Sequence, residues 1–261
     1  MHSYPSDITR EEFEIIRPAL EGAKKCTRPR EKDLYDIFCA ILYLIKSGCQ
    51  WRMLPADFPK WGSVRYYYDV WARERVQGST LLGEVLKKIV ILARNGDMRP
   101  DKTTCGIIDA QSVQNADTAE EKGYDAGKKV SGIKRHIVVD TMGLPHALGI
   151  TTANVTDRQG AAEMMRQNLE NLSEVRKFIA DGSYSGDPFA QAVRDICGAE
   201  VEVVKRNEQH GFAVLPKRWV VERSFGWLDK ARRLWKNCER KLHNSLQMVI
   251  LAFIAVLIRR F

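Results

Sequence analysis

Cysteine is scarce in this sequence, and no two cysteines stand at a short, regular spacing. A zinc ribbon uses Cys-x-x-Cys pairs, and a small disulfide-rich domain needs an export signal. The sequence shows neither feature, which argues against both classes and predicts free thiols in a reducing cytoplasm. The six cysteines are Cys26, Cys39, Cys49, Cys105, Cys197 and Cys238.

Long hydrophobic runs are also missing. The most apolar stretch, residues 248–258, is far shorter than the roughly 20 residues that a membrane span requires. The N-terminus has no basic segment followed by an apolar one, so we expect no signal peptide. The C-terminal stretch is therefore interpreted as a buried helix, with a helix at a membrane surface as the alternative.

Acidic residues are fewer than basic residues in this sequence. Lys and Arg number 41 against 33 Asp and Glu, which leaves a formal net charge of +8 and a pI near 9.2. A protein with this charge has a polyanion as its natural partner. The histidines are few and dispersed, so a site built from histidine ligands is not indicated.

The N-terminal part of the chain has the periodicity of helices. Thr9 and Glu12 form a capping box that starts a first helix. Apolar residues recur at helical spacing through residues 34–45, Ser63 is placed to cap a third helix, and residues 81–92 form a fourth.

A change of pattern marks a domain boundary. The segment 95–101 (NGDMRPD) is rich in turn-forming residues, and the apolar spacing after it is that of strands. We predict a small all-α DNA-binding domain, residues 1–97, followed by an α/β domain, residues 98–261.

The predicted third helix has an apolar side and a side rich in aromatic and basic residues. The residues expected to face inward are Val64, Tyr67, Val70 and Trp71. Those expected to face outward are Arg65, Tyr68, Arg73 and Arg75. Such a surface is typical of a helix-turn-helix module that contacts DNA phosphates and base edges. The alternative is an ordinary amphipathic helix with solvated charges, because the connection before this helix is longer than the turn of the simple motif.

Five strand-like segments follow the boundary. They are residues 103–108, 134–139, 144–151, 176–180 and 200–205. Helical segments lie after the third, fourth and fifth strands. This order predicts a ribonuclease H-like fold with a mixed five-stranded sheet flanked by helices. In that fold the first strand pairs with the second and the fourth, which creates a topological switch point between the first and the fourth.

Three acidic residues occupy positions suited to a metal site. Asp109 follows the first strand, Asp181 follows the fourth, and Glu222 lies on the helix predicted for residues 218–233. Neighbouring strands are about 4.8 Å apart, so the two aspartates would lie side by side. Oxygen ligands of this kind suit Mg²⁺, with Mn²⁺ as a substitute, and predict a two-metal site for phosphoryl transfer. For each acid alone, a turn or a solvated helix face is the alternative.

The helix that carries Glu222 has two distinct sides. Its anchoring side consists of Val221, Phe225 and Leu228. Its charged stripe consists of Arg218, Glu222, Asp229 and Arg233. Arg218 stands one turn before Glu222, where it can bind a DNA phosphate or orient the carboxylate.

Several segments of the chain carry motifs that are specific in combination. They are residues 47–55 (SGCQWRMLP), 123–129 (GYDAGKK), 132–140 (GIKRHIVVD), 180–186 (ADGSYSG) and 219–228 (WVVERSFGWL). With these motifs the chain resembles the DDE transposases of bacterial insertion sequences, specifically the insertion sequence five family. The resemblance implies that Asp109, Asp181 and Glu222 are catalytic and metal-binding.

One signature of the wider superfamily is incomplete. It consists of Tyr, two residues, Arg, three residues, Glu, six residues and Lys, and Arg218 and Glu222 match it. Leu215 and Asp229 occupy the positions of the Tyr and the Lys. Lys230 or Arg233 is the candidate substitute for the missing Lys.

A basic loop that runs into the second predicted strand is the candidate for holding transposon-end DNA. Its residues are Lys122, Lys128, Lys129, Lys134 and Arg135. Phosphate contacts of this kind give salt-dependent affinity without reading sequence. A solvated hairpin is the alternative.

The function expected from the sequence is that of a nucleoid-associated, Mg²⁺-dependent DNA transposase. Its partners would be double-stranded transposon ends and target DNA, and two copies would supply one acid triad per end. The alternatives are a transposase-derived DNA-binding protein without catalysis and a structure-specific nuclease.

Overall fold

The computed structural model describes residues 4–23, 32–75, 79–204 and 218–260. The chain divides into two compact units. The helical unit comprises Met1–Ile89, Leu228–Trp235 and Gln247–Phe261. The sheet unit comprises Val90–Trp227 and Lys236–Leu246. The predicted division into residues 1–97 and 98–261 does not account for the C-terminal segments of the helical unit.

The helices before the first strand begin and end close to their expected positions. They are α1 (Arg10–Glu21), α2 (Leu34–Ser47), α3 (Trp61–Ala72) and α4 (Leu81–Gly96). The predicted capping box of α1 is present, since the Thr9 hydroxyl accepts from the Glu12 N–H and the Glu12 carboxylate accepts from the Thr9 N–H. The prediction that Ser63 caps α3 is wrong, because that helix already begins at Trp61.

Helix α2 is the centre of the helical unit. Almost all of its apolar side chains are buried, and it ends at Gly48 in the left-handed conformation, with φ +74°. A Cβ at Gly48 would lie 3.3 Å from the Cβ of Arg232, at the start of the short 3-10 helix Arg232–Leu234. Glycine is therefore favoured here both by backbone conformation and by close packing.

The C-terminal apolar stretch forms the helix α9 (Leu242–Leu257), which continues as the 3-10 helix Ile258–Arg260. By length and composition alone this helix could cross a membrane, with a mean hydropathy of 1.7, but 61% of its most apolar window is buried inside the protein. Its residues Leu251, Phe253 and Ile254 are fully buried. Such burial is typical of a core helix, as the sequence predicted.

The strands form one mixed sheet in the sheet unit. They are β1 (Cys105–Gln114), β2 (Gly123–Asp125), β3 (Val130–Val139), β4 (Pro145–Thr152), β5 (Lys177–Asp181) and β6 (Glu200–Val204). Strand β1 pairs antiparallel with β3 and parallel with β5, and β4 and β6 add to the outer sides. The predicted pairing of the first strand with the second and fourth of the five expected strands is thus confirmed.

Two features of the sheet differ from the expectation. The short strand β2, which pairs with the start of β3, makes a sixth strand. Strand β1 continues to Gln114, because residues 107–114 all pair with β3. Asp109 therefore lies within the strand and not after it.

Helices cover the sheet beside the strands that carry the aspartates. They are α5 (Asp157–Gln167), α6 (Leu169–Leu172) and α7 (Asp187–Cys197). The predicted single helix 157–172 is interrupted at Asn168, whose side chain donates to the carbonyls of Met164 and Leu148. Gly160 permits α5 to pack closely against β3, since a Cβ at this position would lie 2.1 Å from the His136 ring.

Helix α8 (Arg218–Leu228) is anchored to the turn between β3 and β4. The Ser224 hydroxyl donates to the Gly143 carbonyl at 2.9 Å, and the Arg223 guanidinium donates to the Met142 carbonyl at 2.6 Å. Because the helix ends at Leu228, the predicted charged stripe is shorter than expected. Asp229 and Arg233 lie beyond it.

Candidate active site

Asp109 and Asp181 are brought together by strand register. The paired positions of β1 and β5 end with Ile107 opposite Ile179, and each aspartate is two residues further along its strand. Because side chains alternate between faces, both carboxylates project from the same face of the sheet at the same level. Both side chains are partly exposed. This is the side-by-side arrangement that the sequence predicted.

Each aspartate is also fixed by its own backbone. The Asp109 carboxylate accepts from the N–H of Ala110 at 2.7 Å. The Asp181 carboxylate accepts from the N–H of Ser183 at 2.9 Å and caps the 3-10 helix Gly182–Tyr184. Local hydrogen bonds of this kind restrict the rotamers of both side chains before any ligand is present.

Glu222 is placed on the exposed side of α8, while Val221 and Phe225 of the same helix are buried. Within the described ranges, no three His, Cys, Asp or Glu side chains converge closely enough to hold a metal ion. The complete acid triad therefore stays a prediction. The anchoring role of Val221, Phe225 and Leu228 agrees with their burial.

The residues around Asp109 and Asp181 fit a divalent cation. Mg²⁺ usually takes only one or two protein carboxylates and completes its shell with water and substrate phosphate. Tyr184 ends the turn that follows Asp181, and its hydroxyl, in a residue that is 1% exposed, has no hydrogen-bond partner among the described residues. Burial raises the pKa of Tyr184 well above its usual value, and the charges of Asp109, Asp157 and Asp181 add to this effect.

The predicted basic segment is divided between buried and exposed residues. The expectation that Lys134 and Arg135 hold DNA at the surface is wrong, because both are only 4% exposed within β3. Lys134 lies 2.8 Å from the Asp157 carboxylate and 3.4 Å from that of Asp125. Arg135 donates to the Gln111 side chain at 3.1 Å. Both side chains are thus bound inside the fold.

Lys122, Lys128 and Lys129 remain exposed. The Lys128 ammonium group donates to the carbonyl of Ala110, the residue after Asp109, at 3.1 Å. The turn that carries Lys128 is held by Asp125, which accepts from the Lys128 N–H and from the Ser112 hydroxyl. The hydrogen bond from Ser112 is the main cause that lowers the pKa of Asp125 to about 2. One basic side chain is thus held at the backbone of the residue that follows Asp109.

His136 is a buried neighbour of this network. Its pKa is lowered to about 4, mainly by burial; the charge of Asp157 opposes this shift, and the charges of Lys134 and Lys128 add to it. Its Nε2 atom lies 2.9 Å from the Thr151 hydroxyl. The ring is therefore neutral near pH 7 and is a structural strand residue, as the sequence indicated.

The exposed surface of α3 differs from the predicted one. Tyr68 is 1% exposed and its ring packs 5.1 Å from that of Trp51, so its expected outward position is wrong. Arg65 is partly exposed and is paired with Asp69 at 2.8 Å. The exposed residues of this surface, which include several that the sequence did not single out, are Arg52, Met53, Trp61, Tyr66 and Arg73.

The remaining predicted DNA-binding residues are placed as follows. Arg218 is the first residue of α8, but its side chain lies outside the described residues, as does Leu215. Lys230 is exposed in the turn after α8. Arg233 is partly buried in the helical unit, and its guanidinium donates to the Cys49 carbonyl at 3.0 Å.

Comparison with known proteins gives a consistent result. Residues 100–258 match the family "Transposase DDE domain", and residues 8–79 match the family "Putative transposase of IS4/5 family". A relative from Burkholderia cepacia, "Putative transposase for insertion sequence element IS402", is 36% identical over 117 residues. That match covers 42% of this chain and 55% of the relative, so the chain spans about half the relative's length. No solved structure matches the chain.

The family assignment agrees with the sheet. The DDE domain covers well over half of the chain, and the fold that this domain implies has the strand order seen here. The expected resemblance is confirmed at the level of family. The chain belongs to the DDE transposases of bacterial insertion sequences.

Proposed function

We propose that this protein binds the terminal inverted repeats of an insertion sequence, cleaves at the ends and joins the freed 3′-hydroxyl to target DNA. The observation that carries this proposal is the register of Asp109 and Asp181 on neighbouring parallel strands. Two carboxylates on one face, at the switch point of the sheet, would suit the ligands of a two-metal site. The excess of basic residues in the chain supports a nucleic-acid partner and a place in the nucleoid.

In this proposal Asp109 and Asp181 hold Mg²⁺, or Mn²⁺ in its place, and Glu222 is the third catalytic acid. When bound, a pair of such ions activates the attacking oxygen and stabilises the leaving oxygen of an in-line displacement. The proposed catalytic role of Glu222 is supported by its exposed position on α8. The other side of that helix is anchored to the turn between β3 and β4.

The chain's own cations would position the DNA. Lys128 is held beside Asp109 by its bond to the Ala110 carbonyl, and its side chain is 46% exposed. Lys129 follows it in the same turn and is exposed. Contacts from these two residues to the phosphate backbone would fix the position of the scissile strand without reading its sequence.

Recognition of the terminal repeat is assigned to the surface of α3 and the 3-10 helix before it. Arg65 and Arg73 supply charge, and Arg52 lies over the exposed ring of Trp61 at 5.3 Å. Arginine and aromatic side chains provide both phosphate contacts and base-edge contacts. Tyr68 contributes through packing only, since its ring is buried.

The proposal is tested by incubating the full chain with a labelled inverted-repeat end, a target plasmid and Mg²⁺. End cleavage followed by label in the plasmid is the expected outcome. Cleavage without joining would indicate the alternative of a structure-specific nuclease. Binding of the end without either reaction would indicate a DNA-binding protein that has lost catalysis.

A further inference from the structure

The turn between β3 and β4 is fixed by a buried aspartate. Asp140 directly follows β3 and is fully buried, and its carboxylate accepts from the N–H groups of Met142 at 2.8 Å and Leu144 at 3.0 Å. The guanidinium of Arg94, whose side chain is 5% exposed, forms an ion pair with the same carboxylate. Buried polar groups that are paired in this way make the surrounding backbone rigid. The turn, residues 140–144, is therefore a rigid part of the sheet unit.

Helix α8 packs against this turn without space for an additional atom. The hydroxyl of Ser224, a fully buried residue, donates to the Gly143 carbonyl at 2.9 Å. Gly143 has φ +82°, and a Cβ there would lie 2.7 Å from the Ser224 hydroxyl and 3.3 Å from the Trp227 ring. Glu222 lies two residues before Ser224 on the same helix. A displacement of α8 at this contact would therefore move Glu222 with it.

We propose that the turn positions the third acid: Gly143 and Ser224 are positioning residues that hold α8 where the Glu222 carboxylate can bind the metal. This inference rests on the proposed function, because it takes Glu222 as a metal ligand. Asp109 and Asp181 belong to paired strands, whereas Glu222 lies on a helix outside the sheet, so its place relative to them is set by tertiary contacts. Metal sites and their activity depend on such supporting contacts. Neither positioning residue touches the reacting atoms.

The test compares two glycine substitutions in the full chain. Gly143→Ala places a Cβ against α8. Gly198→Ala is the matched control, because Gly198 follows α7 with φ +65° and a Cβ there would meet no atom of the described residues within 4 Å. Both variants put an L-residue into the left-handed region, so both should lower the melting temperature. Only Gly143→Ala should also displace α8.

End binding is measured by mobility shift, end cleavage with the labelled repeat, and Mn²⁺ affinity by calorimetry. We expect Gly143→Ala to bind the end normally and to cleave it roughly 100-fold more slowly, because a small misplacement of a catalytic group has an effect of this size. Its affinity for Mn²⁺ should fall roughly tenfold, as for other contacts that orient metal ligands. Gly198→Ala should match the unmodified chain in all three measurements. Equal Mn²⁺ affinities of the two variants would show that the turn acts on stability alone, and would overturn the inference.

A smaller change decides the question if Gly143→Ala does not fold. Ser224→Ala removes only the hydroxyl that donates to the Gly143 carbonyl. Ser245→Ala is its control, because Ser245 is also buried and its hydroxyl donates to the Asn237 side chain at 2.7 Å. Both variants lose a buried hydrogen bond and should melt at a lower temperature. Only Ser224→Ala should bind Mn²⁺ more weakly, and equal affinities would again overturn the inference.

Glu222→Gln separates this inference from the proposed function. It should lose cleavage and bind Mn²⁺ more weakly than the unmodified chain. If it does so while Gly143→Ala binds Mn²⁺ like Gly198→Ala, only the positioning role of the turn is overturned. If Glu222→Gln cleaves and binds Mn²⁺ normally, Glu222 is not a metal ligand, and its proposed role and the inference are both overturned.

Discussion

The ammonium group of Lys134 lies 2.8 Å from the Asp157 carboxylate, and both side chains are largely buried. Lys134 also lies 3.4 Å from Asp125, so one lysine neutralises two carboxylates. Buried charges are tolerated when they are paired in this way, whereas removing one partner leaves an uncompensated charge in the interior.

Replacing this lysine should therefore destabilise the sheet unit strongly. We expect Lys134→Met to lower the free energy of unfolding by about 3–5 kcal/mol, measured by urea denaturation at pH 7. Lys177→Met is the control, because Lys177 pairs with Glu202 at a site where both side chains are about half exposed. An exposed pair contributes about 0–1 kcal/mol, so equal effects of the two substitutions would contradict the interpretation.

Substitution of the predicted catalytic acids should separate chemistry from DNA binding. Asp109→Asn, Asp181→Asn and Glu222→Gln are each expected to abolish end cleavage, because each would remove one of the proposed metal ligands. Binding of the end should persist in a mobility-shift assay, since affinity comes mostly from basic residues. Asp195→Asn, on the exposed side of α7, is the control and should cleave normally. Normal cleavage by one of the three variants would remove that residue from the site.

Stability should decrease below neutral pH because of His136. Its folded-state pKa, about 4, is lower than its ordinary value of 6.5. The unfolded chain therefore binds more protons between these values, and the stabilisation present above pH 6.5 is lost as the pH falls towards 4. We expect a loss of about 2 kcal/mol between pH 7 and pH 5.

The measurement that checks this effect is the slope of the unfolding free energy against pH. In His136→Asn the slope between pH 7 and pH 5 should be much smaller, even if the smaller side chain lowers stability at every pH. An unchanged slope would mean that another group controls the acid response.

The α3 surface should bind the terminal repeat through its exposed residues. Arg73→Ala is expected to weaken binding severalfold and to reduce the salt dependence by about one phosphate contact. The control is Arg17→Ala on α1, whose charge is paired with Glu14 and Glu21. Tyr68→Ala should instead lower the melting temperature, because the ring is buried. If Arg17→Ala and Arg73→Ala weakened binding equally, recognition would not reside on α3.

The active assembly should contain at least two copies of the chain. An insertion sequence has two ends, and the part of the chain that the structure describes has one pair of in-register aspartates. Light scattering with paired end DNA is expected to give the mass of a dimer or a larger complex. A single chain that joins both ends in such a complex would refute the prediction.

The sequence predicted the strand pairing because alternating apolar residues identify strands and their order limits the possible folds. It placed the end of β1 too early, since the polar residues Gln111 and Ser112 hide the continued pairing with β3. The sequence predicts exposed side chains for Lys134 and Arg135, because the residues that bind them in the fold are distant in the chain. Asp157, for example, becomes a partner only when α5 covers the sheet.

The error on α3 has a different cause. Tyr67 and Tyr68 follow Val64 by three and four residues, so helical spacing alone permits either ring to face inward. The ring of Trp51 packs against that of Tyr68 and so favours Tyr68 as the inward residue. Trp51 lies in the long connection before α3, and helical spacing within α3 gives no information about it. Glu222 was predicted from its place in a motif, and its exposed position on α8 agrees with a role at the surface of the site.

The composition of the helical unit has a consequence for biosynthesis. Its core includes Leu251, Phe253 and Ile254 of α9, while α1 and α2 come from the beginning of the chain. A ribosome makes the strands and most of the sheet unit before it makes α9. The helices α1 and α2 are therefore synthesised before part of their own core exists, and a truncation that removes α9 would disable the helical unit.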